Sequence, residues 1–260
     1  MYNQIYIKSA DTYIMCIVKV KCPVKEIRGA VILVPGFSES ACDIDYFMTR
    51  LSNELNEQNY LTVQVDLFGH GDSYGDLSNL SIEIIRDNIL SVYEYIIHSW
   101  KLLTVWGITR GFYGNIFCEK SFTTRFSGII CINPLKVNDN VSIGLKYRKN
   151  GIVEIRDIIY DNIVFEYLFV LMGAELTNVN GQKISVQFLD EIVHKIRGLY
   201  DSEKVIYLSS YNADKEICKV SYCDIEENRI EYLSERCFLR DPEWQMKLID
   251  VLIDVIKEKE

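Results

Sequence analysis

The first residues alternate in polarity. In "NQIYIKS" and "TYIMCIVKVKC" apolar and polar positions exchange with a period of two on either side of Ala10 and Asp11, which predicts an antiparallel hairpin. "GAVILVPG" then runs uninterrupted between Gly29 and Gly36. It is too short for a helix and reads as a strand buried on both faces. From Asp43 the period lengthens, with Ile44, Phe47, Leu51 and Leu55 forming the stripe of an amphipathic helix. "YLTVQVDLFGHG" gives another buried strand closed by a glycine-rich loop, and Ile82, Ile85, Ile89, Val92 and Ile96 form a second helical stripe behind a Ser81 cap.

"LLTVWG" is the next strand, followed by a helix from about Phe112 and the strand "FSGIICINP". Strand and helix have by then alternated three times, which predicts a mostly parallel sheet flanked by crossover helices. Residues 136–203 break the rhythm. They are mostly helical in pattern, with polar turns at "YRKNG" and "TNVNG" and no clear β-run, and are expected to form an insertion over one edge or the top of the sheet. "KVIYLSS" and "RIEYLSE" restore two strands. Asp241, Pro242 and Glu243 then start a final helix whose stripe is Trp244, Leu248, Val251, Leu252 and Val255.

Composition narrows the class. The 260 residues are 48% hydrophobic and 25% charged, which excludes disorder, and the net charge of -9 argues against a nucleic-acid partner. Eight cysteines are scattered, several in apolar runs, as expected of reduced thiols in a cytoplasmic protein. Cys218 and Cys223 have no second Cys or His pair at ligand spacing, so no metal and no cofactor is expected. "MYNQIYIKSAD" lacks the basic and apolar regions of a signal peptide. The most apolar helical stretch, "DIIYDNIVFEYLFVLMGAEL", carries Asp157, Asp161 and Glu166, so no membrane span is expected.

Candidate chemistry centres on "LLTVWGITRG", where Gly107 and Gly111 bracket Thr109 with the spacing of a nucleophile elbow. "AVILVPGFSES" has the form of a strand and oxyanion loop. "DYFMTRLSNELNEQNYLTVQVDLFGHGDSYG" has that of a helix, a strand and a D-x-x-G-H-G-x-S loop. On these three stretches the chain resembles the α/β-hydrolase superfamily, in particular its monoacylglycerol-lipase and serine-aminopeptidase-like branch. The resemblance implies a single α/β-hydrolase-like domain over residues 1–260, with 136–203 as its lid.

It also implies positions for each catalytic part. Thr109 stands where the family has its serine, in a turn that holds its residue at positive φ, and a β-branched side chain resists that conformation. The oxyanion donors would be the backbone N–H groups of Phe37 and Arg110. Asp214 is the nearest match to the orienting acid, with Asp224 the other choice. Arg236 stands at the histidine position with Cys237 beside it, and an arginine stays protonated, so it is no general base. His70 falls in a loop the family keeps for structure, His98 at a helix end and His194 in the lid.

Loss of both serine and histidine implies a non-catalytic protein that binds an acyl or anionic small molecule, or a protein partner. The alternative is an acyl hydrolase or acyltransferase, of esterase or thioesterase type, using Thr109 or a thiol such as Cys237 or Cys118, with His194 or water as base. A third reading is an assembly role for the apolar insertion helix.

Overall fold

The computed structural model describes residues 1–37, 39–111, 113–117, 119–132, 152–154, 183–185, 188, 191, 204–208 and 242–259. The hairpin of β1 (Tyr2–Ser9) and β2 (Thr12–Lys19) opens the chain, its turn placing Ala10 at a φ of 50°. β3 (Gly29–Val34), β4 (Tyr60–Val65), β5 (Val105–Arg110), β6 (Gly128–Ile132) and β9 (Val205–Leu208) complete a seven-stranded sheet in the order β1-β2-β4-β3-β5-β6-β9. β1–β2 and β2–β4 pair antiparallel and the other neighbours parallel. Every residue of β3, β4 and β5 is buried, as uninterrupted apolar strands covered on both faces require.

The helices divide between the two faces. α2 (Ile82–Tyr95) buries Ile82, Ile85, Ile89 and Val92 on one face, together with aromatic side chains of α3 (Tyr113–Phe117) and α4 (Lys120–Thr123). α1 (Phe47–Glu57) and α5 (Pro242–Lys259) cover the other, with Phe47, Leu51 and Leu55 meeting Leu248, Ile249, Leu252 and Ile256 in one cluster. The expected cap of α2 is present, the Ser81 side chain accepting from the Ile84 N–H at 3.2 Å.

Three expectations are corrected. The helix placed from Asp43 begins only at Phe47, because Asp43, Asp45 and Tyr46 have φ of 58°, 44° and 62°, which no right-handed helix accepts. The seam of α5 adds Ile249, Ile253 and Ile256, leaving Trp244 and Val251 only partly buried. Within residues 136–203, β7 (Ile152–Glu154) and β8 (Lys183–Ser185) pair antiparallel where no strand was expected. Three residues are too few for a period of two to register. The insertion's expected helices, Cys118, His194, "RIEYLSE" and the cysteines after residue 208 lie outside the described residues.

Candidate active site

The strand-to-helix turn is built by β5, Gly111 and α3. Thr109 lies inside β5, in register with Val34 of β3 and Cys131 of β6, and Arg110 pairs with Ile132. The ladder continues through the Gly111 N–H, which donates to the Ile132 carbonyl at 2.8 Å. The chain turns there: Gly111 has a φ of 63°, and α3 starts two residues later. The positive φ expected at Thr109 therefore falls on Gly111, a residue without a side chain, for which that conformation carries no Cβ clash.

Thr109 is fully buried, and its Oγ1 has no hydrogen-bond partner. Its hydroxyl is enclosed within the sheet rather than held up at the turn.

Arg110 is fully buried as well. Its Nε donates to Asp43 Oδ2 at 2.9 Å and its Nη2 to Asp43 Oδ1 at 2.6 Å, a two-point ion pair from which solvent is excluded. The guanidinium passes so close to Gly36 that a Cβ there would sit 2.3 Å from Nη2, so only glycine admits it. The pair ties the loop after β3 to the end of β5.

Asp66 anchors the same loop from below. Its carboxylate accepts from the Ala41 N–H and, at 2.7 Å, from the Asp72 N–H. Burial raises its pKa, against the two N–H donors that lower it. Gln64 adds a hydrogen bond from Nε2 to the Ala41 carbonyl at 2.8 Å.

Four aromatic rings close over the turn. Phe37 packs edge-on to His70 at 5.9 Å, lies 6.3 Å from Tyr113, and stacks on Phe188 at 5.8 Å with 25° between ring planes. His70 Nδ1 lies 2.9 Å from the Phe68 carbonyl, and Nε2 lies 3.1 Å from the Tyr113 hydroxyl. A carbonyl only accepts, so Nδ1 carries the proton. Nε2 then accepts from Tyr113.

Burial lowers the His70 pKa to about 4, only partly offset by backbone hydrogen bonds at Phe68 and Leu67, and raises that of Tyr113. Both ring nitrogens of His70 thus lie within hydrogen-bond distance of a partner. His98 is exposed, with Nε2 3.2 Å from Glu94 Oε2 one turn back.

The structure thus brings Phe37, Thr109 and Arg110 together at one end of β3 and β5. Asp214, Asp224, Arg236 and Cys237 lie outside the described residues. Sequence reasoning missed Asp43, Tyr113 and Phe188. A buried arginine needs a counter-charge, but nothing in the pattern says that Asp43, far back in the chain, supplies it. Among the described residues no group of His, Cys, Asp and Glu could hold a metal ion, and no helix is long and apolar enough to cross a membrane.

No protein-family model and no curated protein matches the chain in sequence. Solved structures match it in shape. DcsB in complex with its substrate analogue superposes with a TM-score of 0.66 at 11% identity, covering 100% of both chains. Est1E from Butyrivibrio proteoclasticus, bound to ferulic acid, gives a TM-score of 0.56 at 13% identity over 79% of this chain and 77% of its own. A putative hydrolase from Agrobacterium vitis S4 gives 0.53 at 15% identity over 80% and 78%. With its mostly parallel seven-stranded sheet, hairpin edge and flanking helices, the chain has the α/β-hydrolase fold.

Proposed function

We propose that this protein is a non-catalytic member of the α/β-hydrolase fold class, which binds a small acyl or anionic molecule, or a protein partner, at the site where its structural relatives do chemistry. One observation carries the reading: among the described residues, the one at positive φ between β5 and α3 is Gly111, which has no side chain to act as a nucleophile. Thr109, two residues before it, is enclosed in the sheet. His70 is a poor base near neutrality, with a pKa of about 4 and its Nε2 already accepting from Tyr113. Ligand binding by a structural relative, Est1E with ferulic acid, gives an aromatic acid as a first probe. The rings of Phe37 and Phe188 and the cation of Arg236, at the family's histidine position, suit that chemistry. The buried thiols of Cys16 and Cys131 favour a reducing, cytoplasmic setting.

One observation favours the alternative, an esterase-like or thioesterase-like acyl transfer: Thr109 Oγ1 is unpaired and so is open to a new hydrogen bond if the site opens. Hydrolysis of short and medium acyl esters and thioesters by wild type and Thr109→Ala separates the two. We expect no turnover from folded wild type, and saturable binding of aromatic or aliphatic acids in preference to their esters. Turnover that disappears in Thr109→Ala would establish the enzyme reading, and binding without preference for acids would remove the anionic ligand.

A further inference from the structure

The outer edge of the sheet is β1, and it is unusually open. It runs eight residues in one-to-one register with β2, from Tyr2↔Lys19 to Ser9↔Thr12, with no bulge and no proline. Soluble proteins protect such edges with charges, prolines or bulges, and β1 carries one charge, Lys8. The Val20 N–H donates to the Met1 carbonyl at 3.0 Å and the Met1 nitrogen donates back to the Val20 carbonyl. Antiparallel geometry then turns odd-numbered residues toward β2 and leaves the N–H and C=O groups of Tyr2, Gln4, Tyr6 and Lys8 pointing outward.

Exposed apolar surface gathers at the same place. Tyr2 is 63% exposed, Tyr6 51%, Tyr13 48% and Tyr74 63%, and Tyr74 packs edge-on against Tyr6 at 5.9 Å and Tyr13 at 6.3 Å.

From this edge we infer that the protein forms a two-fold dimer by antiparallel pairing of β1 with the β1 of a second copy, about an axis through Ile5. The register is self-complementary. Tyr2 falls opposite Lys8 of the second copy and Gln4 opposite Tyr6, so each outward donor meets an outward acceptor. The two Lys8 charges lie six residues apart along the strand, roughly 20 Å, beyond the range of unscreened repulsion. At roughly 100 Å² of exposed surface per tyrosine, the two patches together come to about 800 Å², the size of a weak, concentration-dependent interface. A peptide from another protein would satisfy the same backbone groups, but only a second copy brings a second tyrosine patch to the pairing.

Sedimentation equilibrium of the full chain tests this across a range of concentrations, for wild type, Gln4→Pro and Tyr6→Lys. Gln4→Pro deletes an N–H that the monomer does not use, and Tyr6→Lys changes an exposed side chain. Circular dichroism checks that both remain folded. We expect a wild-type dimer whose dissociation constant weakens at least tenfold in each variant. Mixing Gln4→Cys with Tyr6→Cys protein under mild oxidation should give a disulfide-linked dimer that neither forms alone, above the wild-type background. A monomer at every concentration overturns the proposal, as does a dimer indifferent to both substitutions. A dimer lost in both variants without the mixed cross-link overturns the register on which it rests.

Discussion

Thr109 and Gly111 differ by two positions in sequence and by everything that matters to a nucleophile. A hydroxyl buried without a partner costs about 1–3 kcal/mol of desolvation. Thr109→Val keeps the shape and removes that group, so chemical denaturation should show a gain of about 1 kcal/mol, and any ligand binding should persist. Gly111→Ser should do the reverse, losing about 1–2 kcal/mol because an L-residue at a φ of 63° meets its own backbone. The Asp43–Arg110 pair is a sharper test. Asp43→Ala removes the carboxylate that holds the fully buried guanidinium of Arg110 at two points, and a loss of about 3–5 kcal/mol is expected in the same measurement. A loss under 1 kcal/mol would mean that water enters and solvates Arg110.

At the level of elements, α2 shows how local signals and distant contacts combine. Its start is read from the sequence through Ser81, yet the Ile82 N–H is satisfied by Glu191 Oε2 at 2.9 Å, across more than a hundred residues of chain. A carboxylate there also meets the positive end of the helix. Ser81→Ala should cost about 1 kcal/mol in thermal or denaturant unfolding. Glu191→Ala should cost a similar amount in the same measurement. No loss would show that the Ile82 N–H finds another acceptor when the carboxylate is gone.

For the whole molecule, the buried imidazole sets a dependence on pH. The folded-state pKa of His70, about 4, lies below the ordinary 6.5. Between these values the unfolded chain binds a proton that the native state refuses, so stability falls as pH drops from 6.5 toward 4, by roughly 3 kcal/mol over the full window. Asp66 acts in the opposite sense, its raised pKa making stability fall as pH rises above 3.8. The His70 contribution is therefore read as the difference between wild type and His70→Gln in urea titrations at pH 5, 6 and 7. Wild type should lose stability toward pH 5 faster than the variant. Parallel curves would mean that the ring is solvated and the Tyr113 hydrogen bond is not formed.

Periodicity and turn chemistry determined most of the framework. The hairpin, the buried strands β3 to β6, the stripe of α2 and the start of α5 are all written as local patterns, because burial of one face imposes its spacing on neighbouring residues. The glycine framing of the turn after β5 was legible for the same reason. Which residue of "GITRG" takes the positive φ was not, since that depends on how far the β5–β6 ladder extends, and pairing through Gly111 carries the strand two residues past the position implied by spacing. The Asp43 partner of Arg110, the Tyr113 partner of His70 and the Ile82 partner of Glu191 were equally hidden. Each is a contact between segments far apart in the chain, chosen by the need to neutralise or hydrogen-bond a buried group once the fold has closed around it.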